Sequence, residues 1–196
     1  MTLSLEHPEK DKEINDSPLE VWLQKKNPLE VDLGCGKGLF LTSLAQQFPD
    51  ICFLGVEHQR ERVAKCMKKI RRMEMQNAHA LCAECEETVE KLFPPDSVDC
   101  FYVLCPDPWP KRRHHRRRMM NADFVESIRS RLKPAGILRM LTDDKPYFDV
   151  MDRLCDTSPG FERCDWDQGR EFPVTDFQKH FMDQGLPIYR AAIRRN

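Results

Sequence analysis

Residues Leu29 to Phe48 read LEVDLGCGKGLFLTSLAQQF, and this stretch decides the fold. Leu29, Val31 and Leu33 alternate with Glu30 and Asp32, the period-two pattern of a short strand. Gly34, Gly36 and Gly38 then break the chain, and Leu41, Leu44, Ala45 and Phe48 return at helical spacing up to Pro49. A strand, a glycine turn and a helix form the first half of a βαβ unit. The residues that follow repeat the theme. Strands are predicted at 51–56, 78–83, 98–104 and 137–141, with helices from about Arg60 to Met75, up to Leu92, and around Phe124, Ile128 and Leu132 as far as Pro134. Pro146 suits the first turn of a further helix. A closing strand pair is predicted near 161–164 and 186–194, with a loop and a short helix between them. Alternation at these lengths, with right-handed crossovers, gives an α/β fold with a doubly wound, mostly parallel sheet.

The bulk numbers narrow the function classes. The chain has 196 residues, 31 Lys and Arg against 32 Asp and Glu, and a formal net charge of -1. It is therefore not globally basic, and any nucleic-acid affinity has to come from local clusters at 65–72 and 111–118. No apolar run approaches the ~20 residues that span a bilayer, and the first residues do not form a signal peptide, so a cytoplasmic protein with no membrane partner is expected. The nine cysteines are dispersed and odd in number, which suits reduced thiols. Cys82 and Cys85 have C-x-x-C spacing, but no second pair or histidine set completes a zinc site, and no metal is expected. Residues 1–28 are polar, with little periodicity, and read as an N-terminal lead-in; residues 29–196 read as a single domain.

The glycine turn carries chemistry only in its context. Its spacing is G-x-G-x-G rather than the dinucleotide pattern G-x-G-x-x-G. Asp32, two residues before the first glycine, would repel a pyrophosphate, yet it suits a ligand with an ammonium or a sulfonium. S-adenosylmethionine carries both. Glu57 ends the second strand, where ribose hydroxyls would lie, and Glu84 follows the third, near an adenine edge. The fourth strand runs into Cys105-Pro106-Asp107-Pro108-Trp109-Pro110, in which three prolines stiffen the loop holding Asp107 and Trp109. Lys111 to Arg118 follow, eight residues without an acid, an arm suited to holding phosphates. Thr175 and Gln178 have capping-box spacing, which predicts a helix start at that point.

On the motifs Val31–Gly38, Leu54–Glu57, Pro106–His115 and Thr142-Asp143, the chain resembles the bacterial tRNA (guanine-N7-)-methyltransferase family. The resemblance implies a seven-stranded class I methyltransferase fold of Rossmann-like type. It implies S-adenosylmethionine as methyl donor and N7 of a guanine in the tRNA variable loop as acceptor. It further implies that Asp32, Gly34, Gly36, Glu57, Glu84 and Asp107 line the cofactor site, with Asp107 also catalytic. Lys111, Asp143, Thr175, Asp176, Phe177 and Gln178 are implied to contact the substrate. Gln178 stands where the family usually has glutamate. The residues by themselves leave two other readings open: a methyltransferase of another substrate, and a non-catalytic RNA-binding module on the same fold. The number of chains in the assembly is left open.

Overall fold

A computed structural model describes residues 17–196, with the side chains of Asp176 and Phe177 outside that description. Seven strands form one sheet in the order β3-β2-β1-β4-β5-β7-β6. These are β1 (Leu29–Leu33), β2 (Cys52–Glu57), β3 (Ala78–Cys82), β4 (Val98–Leu104), β5 (Leu132–Thr142), β6 (Phe161–Arg163) and β7 (Tyr189–Arg195). The first five are parallel, while β7 runs antiparallel to both β5 and β6.

Period-two alternation sorts the strand residues between two helical layers. On one face, Leu29, Val31, Leu33, Phe101 and Val103 pack with α1 (Leu19–Gln24), α4 (Cys85–Lys91), α5 (Ala122–Arg131) and α6 (Lys145–Thr157). On the other, Phe53, Tyr102 and Leu104 pack with α2 (Leu39–Gln47) and α3 (Arg60–Arg72). Glu30 and Asp32 fall on this second face, and both are buried. The last helix, α7 (Asp176–Asp183), follows the segment that crosses the β4–β5 side of the site.

Strand order reverses between β1 and β4. In an open parallel sheet that reversal opens a crevice beyond the strands' carboxyl ends, because successive crossovers depart to opposite faces there. The glycine turn and the proline loop both leave from this point.

Three local expectations need correction. The helix expected to reach Pro134 ends at Arg131, because Leu132 already pairs with Val98 in β5. Pro134 and the left-handed Ala135 (φ 63°) are absorbed at a register shift between β4 and β5 instead. The closing strand begins at Tyr189 rather than Leu186.

The third correction lies in the stretch read as a lead-in. Residues 1–16 fall outside the described residues, but Leu19–Gln24 form a helix whose Leu19 and Trp22 enter the core. Trp22 is only 5 % exposed. Its replacement by alanine is expected to destabilise the protein by roughly 3–5 kcal/mol, the range for deleting a buried large aromatic. Chemical denaturation measures this, and an unchanged midpoint would detach α1 from the folding unit.

Candidate functional site

The glycine turn is shaped by backbone geometry. Gly34 (φ 87°) and Gly36 (φ 56°) are left-handed, a conformation that side chains with a Cβ rarely adopt. A Cβ built on either meets nothing within 4 Å, so both face open space. Gly38 serves a different need: its Cβ would come within 2.2 Å of Cys66 Sγ on α3. The turn is anchored by Gly34 N and Cys35 N donating to Val56 O at 2.7 and 3.1 Å.

Above this turn lies a cavity of about 330 Å³, lined among others by Asp32, Gly34, Gly36, Lys37, Phe40, Arg62 and Leu104. A second cavity of about 320 Å³ adjoins it, sharing Phe40 and Leu104, and is walled by Trp166, Arg170, Phe172, Gln178 and Arg190. Two adjoining chambers at the strand-order reversal have room for a donor and an acceptor.

The electrostatics of the first chamber centre on Asp32. Burial, then the nearby Glu57 carboxylate, push its pKa from 3.8 up to about 7. Among the described residues Asp32 forms no ion pair. Glu57 is differently placed. Its carboxylate accepts a hydrogen bond from Gln59 N at 2.9 Å and lies 3.1 Å from His58 Nδ1 and 3.6 Å from Arg62 Nη1. One acid is partnered outside the lining of both chambers, and the other lines the first chamber with no ion pair among the described residues.

The remaining expected residues divide by position. Glu84 is exposed at the start of α4 and lies outside the lining of both chambers. Asp107 and Lys111 are exposed in the proline loop and also line neither chamber. Asp143, half-buried beyond β5, approaches Cys105; burial and then this acid push the Cys105 thiol up to about 12, against a hydrogen bond with Thr175. Thr175 is buried and caps α7 by accepting from Gln178 N at 2.9 Å, as the capping spacing predicts. Thr175 lines the first chamber and Gln178 the second. The backbone of Asp176 and Phe177 opens α7, and their side chains lie outside the described set.

The cationic arm also departs from the simple reading. Arg112–Arg117 wind into a 3-10 turn with Arg112, Arg113, Arg116 and Arg117 exposed. Arg118 turns inward instead and is 8 % exposed. Its Nε donates to Pro108 O at 2.7 Å and its guanidinium lies 4.7 Å from the Tyr147 ring centroid. Arg118 therefore braces the Asp107 loop and is withdrawn from the phosphate-facing set. Trp109, left-handed at φ 45°, stacks on His114 at 5.7 Å, with Arg117 5.0 Å from its ring.

Sequence reasoning missed the polar cluster beneath the second chamber. Glu30 accepts from Tyr102 Oη and from Arg170 Nη1, each at 2.6 Å. Arg139 donates from Nε to Trp166 O at 2.8 Å and sits 4.9 Å from the Phe172 ring. An acid between apolar residues on the same strand face as Asp32 was the available signal. Its partners, 72 and 140 residues away, left none.

Comparison with known proteins agrees with this geometry. Residues 26–191 match a family described as "Putative methyltransferase". The tRNA (guanine-N(7)-)-methyltransferase of Aliivibrio salmonicida is 33% identical over 175 residues, 87% of this chain and 74% of that protein. The protein of the same name from Edwardsiella ictaluri is 31% identical over 159 residues, 79% of this chain and 67% of its own. Among solved structures, the aminoglycoside resistance methyltransferase NpmB1 superposes with a TM-score of 0.60 at 20% identity, covering 91% of this chain and 92% of its own. A SAM dependent methyltransferase from Aquifex aeolicus gives 0.58 at 15% identity, covering 96% and 97%. At these identities the structures establish the fold, that of class I methyltransferases, and the two sequence relatives establish the family.

Asp32 ties this site to stability. Its folded pKa lies above the unfolded one, so the stability it contributes is present below pH 3.8 and is lost as pH rises to about 7. Asp32→Asn is therefore expected to melt at a higher temperature than wild type above neutral pH, the difference shrinking as the solution is acidified through this window. Thermal melts across that range check it. Parallel curves would mean that Asp32 titrates like an acid facing solvent.

Proposed function

The chain belongs to the tRNA (guanine-N(7)-)-methyltransferase family, and from that membership we propose that it transfers a methyl group from S-adenosylmethionine to N7 of a guanine in the tRNA variable loop. The observation that carries the reading is a buried carboxylate, Asp32, at the mouth of the glycine turn, with no ion pair among the described residues.

The residues present fit the cofactor. Asp32 offers charge to an ammonium or sulfonium, and the open glycines Gly34 and Gly36 leave room for close approach to the backbone. Glu57, fixed at the end of β2, is assigned to the ribose. We assign Glu84 to the adenine side, where its exposure leaves the carboxylate open to a ligand. When bound, the cofactor supplies an electrophilic methyl group on a sulfonium.

Guanine N7 presents an in-plane lone pair at neutral pH, so no base has to deprotonate the nucleophile. The protein's task is positioning and electrostatics. The second chamber is assigned to the acceptor base, with Gln178 in its wall and Asp143, Thr175, Asp176 and Phe177 on the strand and helix ends around it. Transfer delivers positive charge to the purine, and Asp107, held in the proline loop braced by Arg118, would stabilise it. Lys111 with Arg112, Arg113, Arg116 and Arg117 would hold phosphates around the base.

The test is incubation with methyl-labelled S-adenosylmethionine and unmodified tRNA, followed by mapping of the labelled base. Label on N7 of a variable-loop guanine is expected, and label on another base or none in tRNA overturns the reading. In the same assay Asp107→Ala is expected to lower the single-turnover rate on the order of 10²-fold, the scale of one preorganised electrostatic group. A near-normal rate with both ligands saturating would leave Asp107 a loop residue only. Cofactor affinity should also rise with pH up to about 7 and level off above it, because a cation favours ionised Asp32. Calorimetry would detect one proton released on binding below that point, and flat affinity would remove Asp32 from the charge match.

A further inference from the structure

Helix α3 reads RERVAKCMKKIRR and carries seven Lys and Arg against the single acid Glu61. Val63, Cys66 and Ile70 fix it to the sheet, leaving Lys65, Lys68, Arg71 and Arg72 exposed and Lys69 half-buried. None of these five cations forms an ion pair among the described residues. Taken with Lys111–Arg118, 21 residues hold 13 of the chain's 31 Lys and Arg and one of its 32 acids. Everything else in the protein is acidic, with 18 cations against 31 acids.

The spacing on α3 works against the helix. Lys65 stands three and four residues before Lys68 and Lys69; Lys68 stands likewise before Arg71 and Arg72, and Lys69 three before Arg72. Like charges at these separations are neighbours on the helix surface and destabilise it. Attraction to the helix carboxyl terminus offsets this for Lys69, Arg71 and Arg72 in the last turn. It does not reach Lys65 and Lys68. A helix selected for stability alone would set acids among these positions, as Glu61 does opposite Lys65.

Its direction adds a second observation. α3 leaves the carboxyl end of β2, where Arg62 lines the first chamber, and at 1.5 Å per residue it runs about 20 Å toward the opposite edge of the sheet. The cationic stripe thus starts beside the site and leads away from it. The Lys111–Arg117 stretch leaves β4, with β1 between β4 and β2. A membrane surface would want apolar anchors among the cations, but the exposed large apolar residues are Val21, Val174, Met182 and Leu186, none of them on α3.

We propose that the exposed face of α3 is a second phosphate-binding surface, which holds a stem of the RNA substrate at a distance from the reacting base. The proposal rests on the tRNA reading above and extends it: recognition requires an RNA long enough to reach both cationic surfaces. The contacts are with phosphates, so they position the RNA and carry no base sequence.

The test compares wild type with the variant K65Q/K68Q/R71Q/R72Q, measuring tRNA binding against salt as well as methylation. The slope of log affinity against log salt should become shallower by about three, at 0.7–0.9 per lost phosphate contact. KM for tRNA should rise about tenfold or more at physiological salt while kcat holds, since charge neutralisation removes binding and leaves the chambers intact. Thermal stability should equal or exceed wild type because the repulsion is relieved, which separates lost binding from lost folding. The swap K65R/K68R/R71K/R72K should bind as wild type does. An unchanged slope and KM in the folded glutamine variant would overturn the proposal and leave α3 a solvated face, even where wild type methylates tRNA normally. Wild-type enzyme that binds tRNA without methylating it would instead sink the proposed function, with the slope still deciding α3.

Discussion

The pairing of Glu30 with Tyr102 and Arg170 holds the site's outer wall to the sheet. A carboxylate buried in the second layer of a parallel sheet is costly unless it is charge-paired and hydrogen-bonded. Tyr102, its phenol kept protonated by burial, supplies one donor, and Arg170 supplies the other. Arg170 belongs to the segment between β6 and α7, which has no strand pairing of its own to fix it. Arg139 adds a second tie by donating to Trp166 O. Trp166, Arg170 and Phe172 thereby become a wall of the second chamber. The arrangement is not optimised for stability. Arg170 Nε and Nη2 are buried without a hydrogen-bond partner, and the guanidinium lies 3.8 Å from the Phe48 ring centroid. Removing either partner would strand the other's charge, so the pair is better understood as a geometric constraint than as a source of net stabilisation.

Two residues further along the same strand, Asp32 shows the opposite solution. It shares the face of Glu30, and it is as deeply buried, but no cation among the described residues pairs with it. One carboxylate is satisfied internally and fixes a wall; the other is left strained and raises its own pKa. Alternation explains both, since β1 must present every second residue to that layer. The difference comes from the strand end. Asp32 adjoins the glycine turn, where open space replaces packing, whereas Glu30 lies under the segment carrying Arg170.

Much of this was legible in the sequence, and the exceptions have physical causes. The limits of β1 and β4 were readable to the residue: β1 alternates apolar residues with acids between Pro28 and Gly34, and β4 is a mostly apolar run that stops one residue short of Pro106. The cap at Thr175 was readable because its spacing is local. α1 was not, since six residues give too short a window for helical periodicity and its stability comes from Trp22 meeting the core. Proline and glycine misled at 134–136, where a register shift accommodated what looked like a helix stop. Arg118 looked like its neighbours in the arm, and only the Pro108 carbonyl and the Tyr147 ring separate it from them. The Glu30 cluster was illegible because all its partners are distant in sequence.

A net charge of -1 conceals a separation by sign that matches two ligands of opposite charge. The acids that matter lie inside: Asp32 and Glu57 are 4 % and 2 % exposed, and a cation entering the first chamber meets Asp32 in its wall, in a low-dielectric setting where charge acts strongly. The cations that matter lie outside, on the 3-10 turn and on α3, where solvent and salt screen them individually. Clustering compensates for that screening, because many weak phosphate contacts sum while each costs little to desolvate. The acidic remainder repels a polyanion from the rest of the surface, so these two patches also set the direction of approach. The same division keeps the two ligands apart: a cofactor's cation would match Asp32 in the first chamber, while phosphates are drawn to the cations on the outer surface, so the part of the polyanion left to approach the methyl donor is a base edge.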